Sequence, residues 1–392
     1  MGPAVYQSLR DIKDQRYVRP LRCLTIVPCA ATPTHAFSLQ AHMKEFISGI
    51  VFTLVLLTAC WLAPPPSLLE RWTARTFPTV RPSPSQQVAV VLTGASSGIG
   101  RHAALFLAKQ KGYTVFATVR KSSDGTSLQN EFASNNHSQH HGRLVPIVCD
   151  VTDARQIIQL EDVVSEWLLL SPEPSVKRTL AGIVNNVGTN GTLFPLQNVP
   201  LEDMRYIYDV KVLGPLRVYQ TFFPLLRQYK ARIVNIGSLS GQVARPFRGA
   251  YTVSKFALEG FTDTLRQELW HEHMSVSLVD PGLIGTGLSE KAVASSQEKY
   301  GDPADRKDLT DRQRQMLTTL VTKTLLHAST KHAPSSPQVT SEAIWHALSS
   351  PQPQTRYYPG SMGSSSSALP AWILPKLKQI LPDRLLDQNV VA

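Results

Sequence analysis

Val88-Ala89-Val90-Val91-Leu92-Thr93-Gly94-Ala95-Ser96-Ser97-Gly98-Ile99-Gly100-Arg101 begins as an apolar, β-branched run and turns through three glycines. It continues into His102-Ala103-Ala104-Leu105-Phe106-Leu107-Ala108. The first part reads as a strand and the last as a helix. Between them, Gly94, Gly98 and Gly100 let backbone approach a pyrophosphate, which then sits at the positive end of the helix. Ser96, Ser97 and Ile99 share that loop and are candidate contacts to the same phosphates. A glycine triplet alone is weak evidence. Its place between a strand and a helix, followed by the strand-like Tyr113-Thr114-Val115-Phe116-Ala117-Thr118-Val119-Arg120, is much stronger. Strand-like and helical stretches then alternate, which predicts a parallel sheet with helices on both faces.

A second constellation lies downstream. Tyr251 and Lys255 stand four residues apart in Tyr251-Thr252-Val253-Ser254-Lys255, with Ser238 thirteen residues upstream of the tyrosine. On a helix, positions i and i+4 share a face, so phenol and ammonium point the same way. A free tyrosine loses its proton near pH 10, and a neighbouring positive charge lowers that value. Tyr251 is therefore expected to exchange a proton with an alcohol or ketone, with Ser238 holding the substrate oxygen. By itself the spacing is common on amphipathic helices. The glycine loop upstream is what makes it informative.

Thr93-Gly94-x-x-x-Gly98-x-Gly100, Asn185-Asn186-Val187-Gly188, Ser238, Tyr251-x-x-x-Lys255 and Asp280-Pro281-Gly282 occur in one order and spacing. In this the chain resembles the short-chain dehydrogenases/reductases over roughly residues 87–288. Phe116-Ala117-Thr118-Val119-Arg120, Asp209-Val210-Lys211-Val212-Leu213-Gly214 and Pro353-Gln354-Thr355-Arg356-Tyr357-Tyr358-Pro359-Gly360 are similar to the branch of 17β-hydroxysteroid and retinol dehydrogenases. So is the later Leu381-Pro382-Asp383-Arg384-Leu385-Leu386. The resemblance implies an α/β, Rossmann-like doubly wound parallel sheet forming a single catalytic domain. It also implies hydride transfer between a nicotinamide cofactor and an alcohol or ketone. Ser238 would bond the carbonyl oxygen and Tyr251 would donate the proton. Lys255 would lower the tyrosine pKa and bond the nicotinamide ribose. Asp150 matches the family's adenine-contacting aspartate, and Asn186 and Gly188 end the fourth strand beside the cofactor. Pro281, Gly282, Ile284 and Thr286 match the segment that seats the carboxamide.

NAD-preferring domains of this kind place a carboxylate at the end of the second strand. Here that stretch is Thr118-Val119-Arg120-Lys121. Arg120, helped by Lys121, suits a 2′-phosphate, so NADP(H) is the expected cofactor and NAD(H) the alternative. One residue departs from the family. Lys211 stands forty residues ahead of Tyr251, where the family has an asparagine that shapes a water chain. A second ammonium beside Lys255 lowers the tyrosine pKa further but repels its neighbour and costs desolvation. Three readings stay open: Lys211 carries the relay itself, it swings away and leaves a slower enzyme, or turnover is lost and a cofactor-binding scaffold remains.

The 392 residues are 42% hydrophobic, enough for a substantial core. A net charge of +11 comes from dispersed basic residues with no basic run interleaved with aromatics, which argues against nucleic-acid binding. Cys23, Cys29, Cys60 and Cys149 have neither metal-ligand spacing nor a disulfide pattern. The run from Ser134 to His141 carries three histidines without acidic or cysteine partners and reads as a solvated loop, so no metal site is expected.

Residues 46–63 are apolar and uncharged over 18 positions, the lower limit for a spanning helix, and Pro64, Pro65 and Pro66 end them. They are expected to be an uncleaved anchor. Residues 1–45 form the N-terminal segment; Met43-Lys44-Glu45 would make a natural start, so residues 1–42 are either an extension of the gene model or a targeting segment. Arg71, Arg75 and Arg81 follow the span and Lys44 precedes it, which places the catalytic domain in the cytoplasm, as a single-pass protein of the endoplasmic reticulum. Two sequons, at Asn136 and Asn190, would matter only on the lumenal side. Residues 64–86 read as a linker, 87–288 as the catalytic domain, and 289–392 as a substrate-covering segment with an amphipathic tail that roofs the pocket, leans on a membrane or packs on the domain. The expected substrate is a small lipophilic steroid, retinoid or acyl lipid, with ketosphinganine or acyl-dihydroxyacetone phosphate as alternatives. The last would call for basic residues at the pocket mouth. Dimers and tetramers are common in the family, and a homodimer is carried as an expectation.

Overall fold

The computed structural model describes residues 75–134, 142–171, 173–189, 191–329, 335–362 and 369–380. The segments 1–45 and 46–63, the sequons at Asn136 and Asn190, and most of the histidine-bearing run lie outside the described residues. Among the described residues no helix is long and apolar enough to cross a membrane.

Strand β1 (Gln86–Leu92) leads through the glycine loop into α1 (Gly98–Lys111), followed by β2 (Thr114–Val119), α2 (Ser122–Ser134) and β3 (Arg143–Val148). After α3 (Ala154–Leu169) comes β4 (Lys177–Asn185), then α4 (Leu201–Tyr208), a π-helical turn (Asp209–Leu213) and α5 (Gly214–Tyr229). Strand β5 (Arg232–Ile236) precedes α6 (Gly249–Glu268), and β6 (Val276–Val279) precedes α7 (Leu288–Tyr300) and α8 (Asp311–Ser329). The chain closes with α9 (Pro337–Ser349), β7 (Arg356–Tyr357) and α10 (Ile373–Ile380). The seven strands pair in parallel in the order β3-β2-β1-β4-β5-β6-β7. The order reverses between β1 and β4, and a sheet of this kind opens its ligand crevice at the carboxyl ends of the strands flanking that switch.

Strand β1 shows why the sheet is covered on both sides. Val88, Val90 and Leu92 face one core with Ala104 and Leu107 of α1 and Ile344 and Leu348 of α9. Ala89 and Val91 face the other, with Leu160 and Val164 of α3, Phe222 of α5 and Leu265 of α6. A strand buried on both faces reads as a continuous apolar run, as this one does.

The sheet does not stop at residue 288. Strand β7 pairs with β6, and α9 packs in the first core, so part of 289–392 belongs to the catalytic domain itself. A two-residue strand carries no periodicity that sequence could reveal. The linker is likewise tied down where it is described: Phe77 N–H donates to Pro351 O at 2.8 Å, and the Arg232 guanidinium donates to Pro78 O at 2.8 Å. A third cluster joins Leu193 and Phe194 to Val293 of α7 and Leu317 and Val321 of α8, with Phe194 stacked on Tyr300 at 4.2 Å between centroids. That cluster holds the covering helices over the carboxyl ends of the strands. The described part of the tail packs on the domain: Leu374 of α10 meets Leu239 and Val243, and the Lys378 ammonium donates to Gln242 O.

Candidate active site

One cavity of about 490 Å³ runs along the carboxyl ends of the strands. At one end lies the glycine loop. Gly94 (φ 74°) and Gly98 (φ 62°) occupy the left-handed region that favours glycine. At Gly100 the constraint is space, since a Cβ there would stand 2.1 Å from Gly94 O and 2.3 Å from Asn186 Nδ2. Asn186 ties the loop to β4: its Nδ2 donates to Thr93 O at 3.0 Å and Gly94 O at 2.9 Å. Helix α1 then starts with no side-chain cap and no acidic residue in its first turn, which leaves backbone N–H groups for an anion. The cradle fits a dinucleotide pyrophosphate. Ser96, Ser97, Ile99, Asp150 and Gly188 line the same cavity, as do Pro281, Gly282, Ile284 and Thr286 beyond β6. Asp150 accepts from Thr152 N at 2.9 Å, which fixes its carboxylate at the end of β3. Arg120 lines the rim and reaches the Tyr206 hydroxyl at 3.4 Å. Lys121, the next residue, is exposed like Arg120 and lies just outside the cavity wall at the start of the turn into α2.

Ser238, Tyr251 and Lys255 meet in this cavity from β5 and α6. Ser238 is held by its backbone N–H donating to Asp280 Oδ1 at 2.9 Å, and its hydroxyl accepts from Ser240 N at 3.2 Å. Tyr251 and Lys255 are buried on one face of α6, and Lys255 Nζ donates to Ile236 O at 2.6 Å. Burial raises Tyr251 above the ordinary tyrosine value, and the Ser238 hydroxyl and the Arg248 charge oppose that rise. This differs from the sequence expectation, in which lysines alone lower the phenol. Burial also pushes Lys255 down to about 8, against the pull of Asp280, a hydrogen bond with Lys211 and the Glu259 charge.

Lys211 does not swing away. It sits in the π-helical turn, buried, with Nζ 4.7 Å from the centre of the Tyr251 ring. Gly188 makes room for it, since a Cβ at that position would stand 2.8 Å from Nζ. Burial, then the Lys255 charge and the hydrogen bond with Lys255, hold Lys211 well below the usual lysine value. A neutral Lys211 accepting a hydrogen bond from a charged Lys255 avoids placing two buried ammonium groups side by side.

The sequence from 88 to 297 matches the family described as short chain dehydrogenase. The chain belongs to that family. Human retinol dehydrogenase 5 is 31% identical over 324 residues, covering 76% of this chain and 92% of that protein. Mouse mitochondrial D-beta-hydroxybutyrate dehydrogenase is 29% identical over 274 residues, covering 69% and 76%. Among solved structures, a short-chain dehydrogenase from Streptomyces avermitilis superposes with a TM-score of 0.54 at 24% identity, covering 79% of this chain and 98% of that one. An NADP complex of a short chain dehydrogenase from Burkholderia cenocepacia gives 0.52 at 20% identity, covering 78% and 98%. This short-chain dehydrogenase is an NAD(P)-dependent oxidoreductase acting on CH–OH groups.

Three features of the dehydrogenase escaped sequence reasoning. Asp280 was visible as part of a motif, but its contacts were not. It is fully buried behind Ser238, where burial and the neighbouring Glu259 push its carboxyl up. Its carboxyl and that of Glu259 both pull the Lys255 value upward against burial. Arg356 closes the group, donating to Glu259 Oε2 at 2.9 Å. The second feature is Gly188 as the space for Lys211, which joins positions 23 residues apart. The third is a pair of arginines, Arg245 and Arg248, in the cavity wall just before Tyr251. The only signal for them was their place ahead of the tyrosine.

Proposed function

We propose that the protein is a membrane-anchored, NADP-preferring reductase or dehydrogenase of a lipophilic ketone and alcohol pair. The observation that carries this reading is the convergence of Ser238, Tyr251 and Lys255 in the cavity that begins at the glycine cradle. Arg120 on the rim, with no carboxylate beside it at the end of β2, supports the preference for NADP. Leu239, Leu320 and Met362 in the cavity wall supply apolar surface, and residues 46–63 supply the anchor. The names of the relatives suit both a retinoid and a short hydroxy acid.

When bound, the nicotinamide supplies or accepts the hydride. The chain does the rest. The Ser238 hydroxyl donates to the substrate oxygen and fixes its place. The Tyr251 phenol gives that oxygen a proton in reduction and takes it back in oxidation. A charged Lys255 steadies the phenolate left behind. Lys211 stays beside the reacting pair and its hydrogen bond supports the charged form of Lys255, which favours an intact proton-transfer centre over a scaffold.

The test follows NADPH absorbance with steroid, retinal and ketosphinganine substrates. Tyr251→Phe should lower kcat by roughly 10²–10⁴-fold with NADPH binding retained. A purified protein that binds NADPH and reduces no ketone would establish the scaffold instead.

A further inference from the structure

The loop between β5 and α6 carries two charges that the proton-transfer chemistry does not use. Arg245 and Arg248 both line the cavity, Arg248 three residues before Tyr251. Among the described residues neither guanidinium has a hydrogen-bond or ion-pair partner, whereas Arg356, Arg217 and Arg306 in the same domain all pair with carboxylates. Arg245 remains open to water inside a concavity, and Arg248 is half-buried. The concave wall around them lowers both from the ordinary arginine value, though Arg245 keeps contact with water, and Arg245 lowers Arg248 further by its like charge. Water solvates Arg245 in part, but the like-charge repulsion between the two has no carboxylate partner among the described residues to relieve it.

The backbone holds them there at a further cost. Phe247, between the two, lies at φ 63°, a left-handed conformation that a bulky aromatic rarely adopts. Strain of this kind costs on the order of 1–3 kcal/mol and persists where surrounding contacts enforce it. Here Phe194 N–H donates to Phe247 O at 2.9 Å, Phe194 bridges to Arg248, and the Phe247 side chain packs against the cluster under the covering helices. Arg248 also immediately precedes α6 with no side-chain cap, so the positive end of that helix adds to the same field.

We infer that Arg245 and Arg248 form an anion clamp in the substrate half of the cavity, and that the ketone or alcohol turned over carries a carboxylate or phosphate. Two guanidinium forks match either group in geometry as well as charge. Apolar wall from Leu239, Leu320 and Met362 completes a site for an amphiphile with an anionic end. The clamp rests on the reading of this cavity as a ketone-reducing site and names the substrate class of that site.

The test compares kcat/KM for straight-chain 3-oxo carboxylates, their methyl esters, and acylated hydroxyketones with and without a phosphate ester. The wild-type enzyme should favour the anionic member of at least one pair by roughly tenfold to a hundredfold, the span of a charge-assisted hydrogen bond. That preference should collapse towards unity in Arg245→Met and Arg248→Met, and Arg245→Lys should keep part of it. The arm that shows the loss separates carboxylate from phosphate. Calorimetry with a non-reducible alkyl carboxylate and an alkyl phosphate, in the presence of NADPH, reads the clamp without turnover. Absence of any reducible ketone, with anion binding that depends on both arginines, overturns the proposed reaction and keeps the clamp. Equal use of acids and esters, or a preference unchanged in both methionine variants, overturns the clamp, as does failure of both anions to bind.

Discussion

Replacing Lys211 with methionine decides which of two neighbouring amines holds the proton. Lys255 stands at about 8 against an ordinary 10.5, a difference of about 3 kcal/mol at ~1.36 kcal/mol per pH unit. The groups facing it are Lys211, Tyr251, Asp280 and Glu259. If Lys211 is neutral and accepts a hydrogen bond from Lys255, its loss removes support from the charged form. A hydrogen bond to a charged group is worth about 1.5–3 kcal/mol, so the Lys255 value should fall by about one to two units. If Lys211 were charged, removing it would relieve repulsion and Lys255 would rise. The assay is the pH profile of kcat/KM for ketone reduction. In the wild type, activity should be present below about pH 8 and be lost as Lys255 gives up its proton above it. Lys211→Met should move that break downward, and Lys211→Gln, which keeps an acceptor, should move it less. Stability gives a second readout. Between about 8 and 10.5 the unfolded chain binds Lys255's proton and the folded one does not, so wild-type stability rises with pH across that window. Lys211→Met, freed of an amine that burial keeps uncharged, should be the more stable protein at neutral pH. A break that moves upward, or stays in place, refutes the neutral-acceptor arrangement.

Gly188→Ala places a methyl 2.8 Å from Lys211 Nζ; it should cost about 1–3 kcal/mol in a thermal melt and reproduce part of the shifted pH profile. Gly100→Ala meets backbone at 2.1 Å, so NADPH fluorescence titration should show binding lost along with loop geometry, while circular dichroism checks that the sheet persists. Arg120→Ala should reduce the ratio of kcat/KM with NADPH over NADH by roughly tenfold or more, and an unchanged ratio would show that the 2′-phosphate is held elsewhere.

The cradle and the proton-transfer pair were legible because each is local. A glycine's backbone freedom belongs to its own position, and four residues of helix bring Tyr251 and Lys255 to one face whatever surrounds them. The sheet was legible because strands buried on both faces are largely apolar and β-branched, as β1 from Val88 onward and β2 are. The extent of the domain was harder. Strand β7 has two residues and no pattern of its own, and it belongs to the sheet only because β6 leaves an edge for it. Arg120 and Lys121 look equivalent in sequence. Both are exposed, and the turn into α2 leaves only Arg120 on the cavity rim.

By itself, then, the sequence determined the parallel α/β architecture and pointed to the glycine loop and to the serine, tyrosine and lysine that the fold gathers in one cavity. Only the tertiary structure decided what surrounds them. It set Lys211 against Lys255 in the space left by Gly188, buried Asp280 behind Ser238 with Glu259 near it, and left Arg245 and Arg248 facing the cavity without partners. The physical reason is that charge states and vacant contacts depend on distances between residues far apart in the chain and on how much water reaches them. Neither quantity is written in spacing along the sequence.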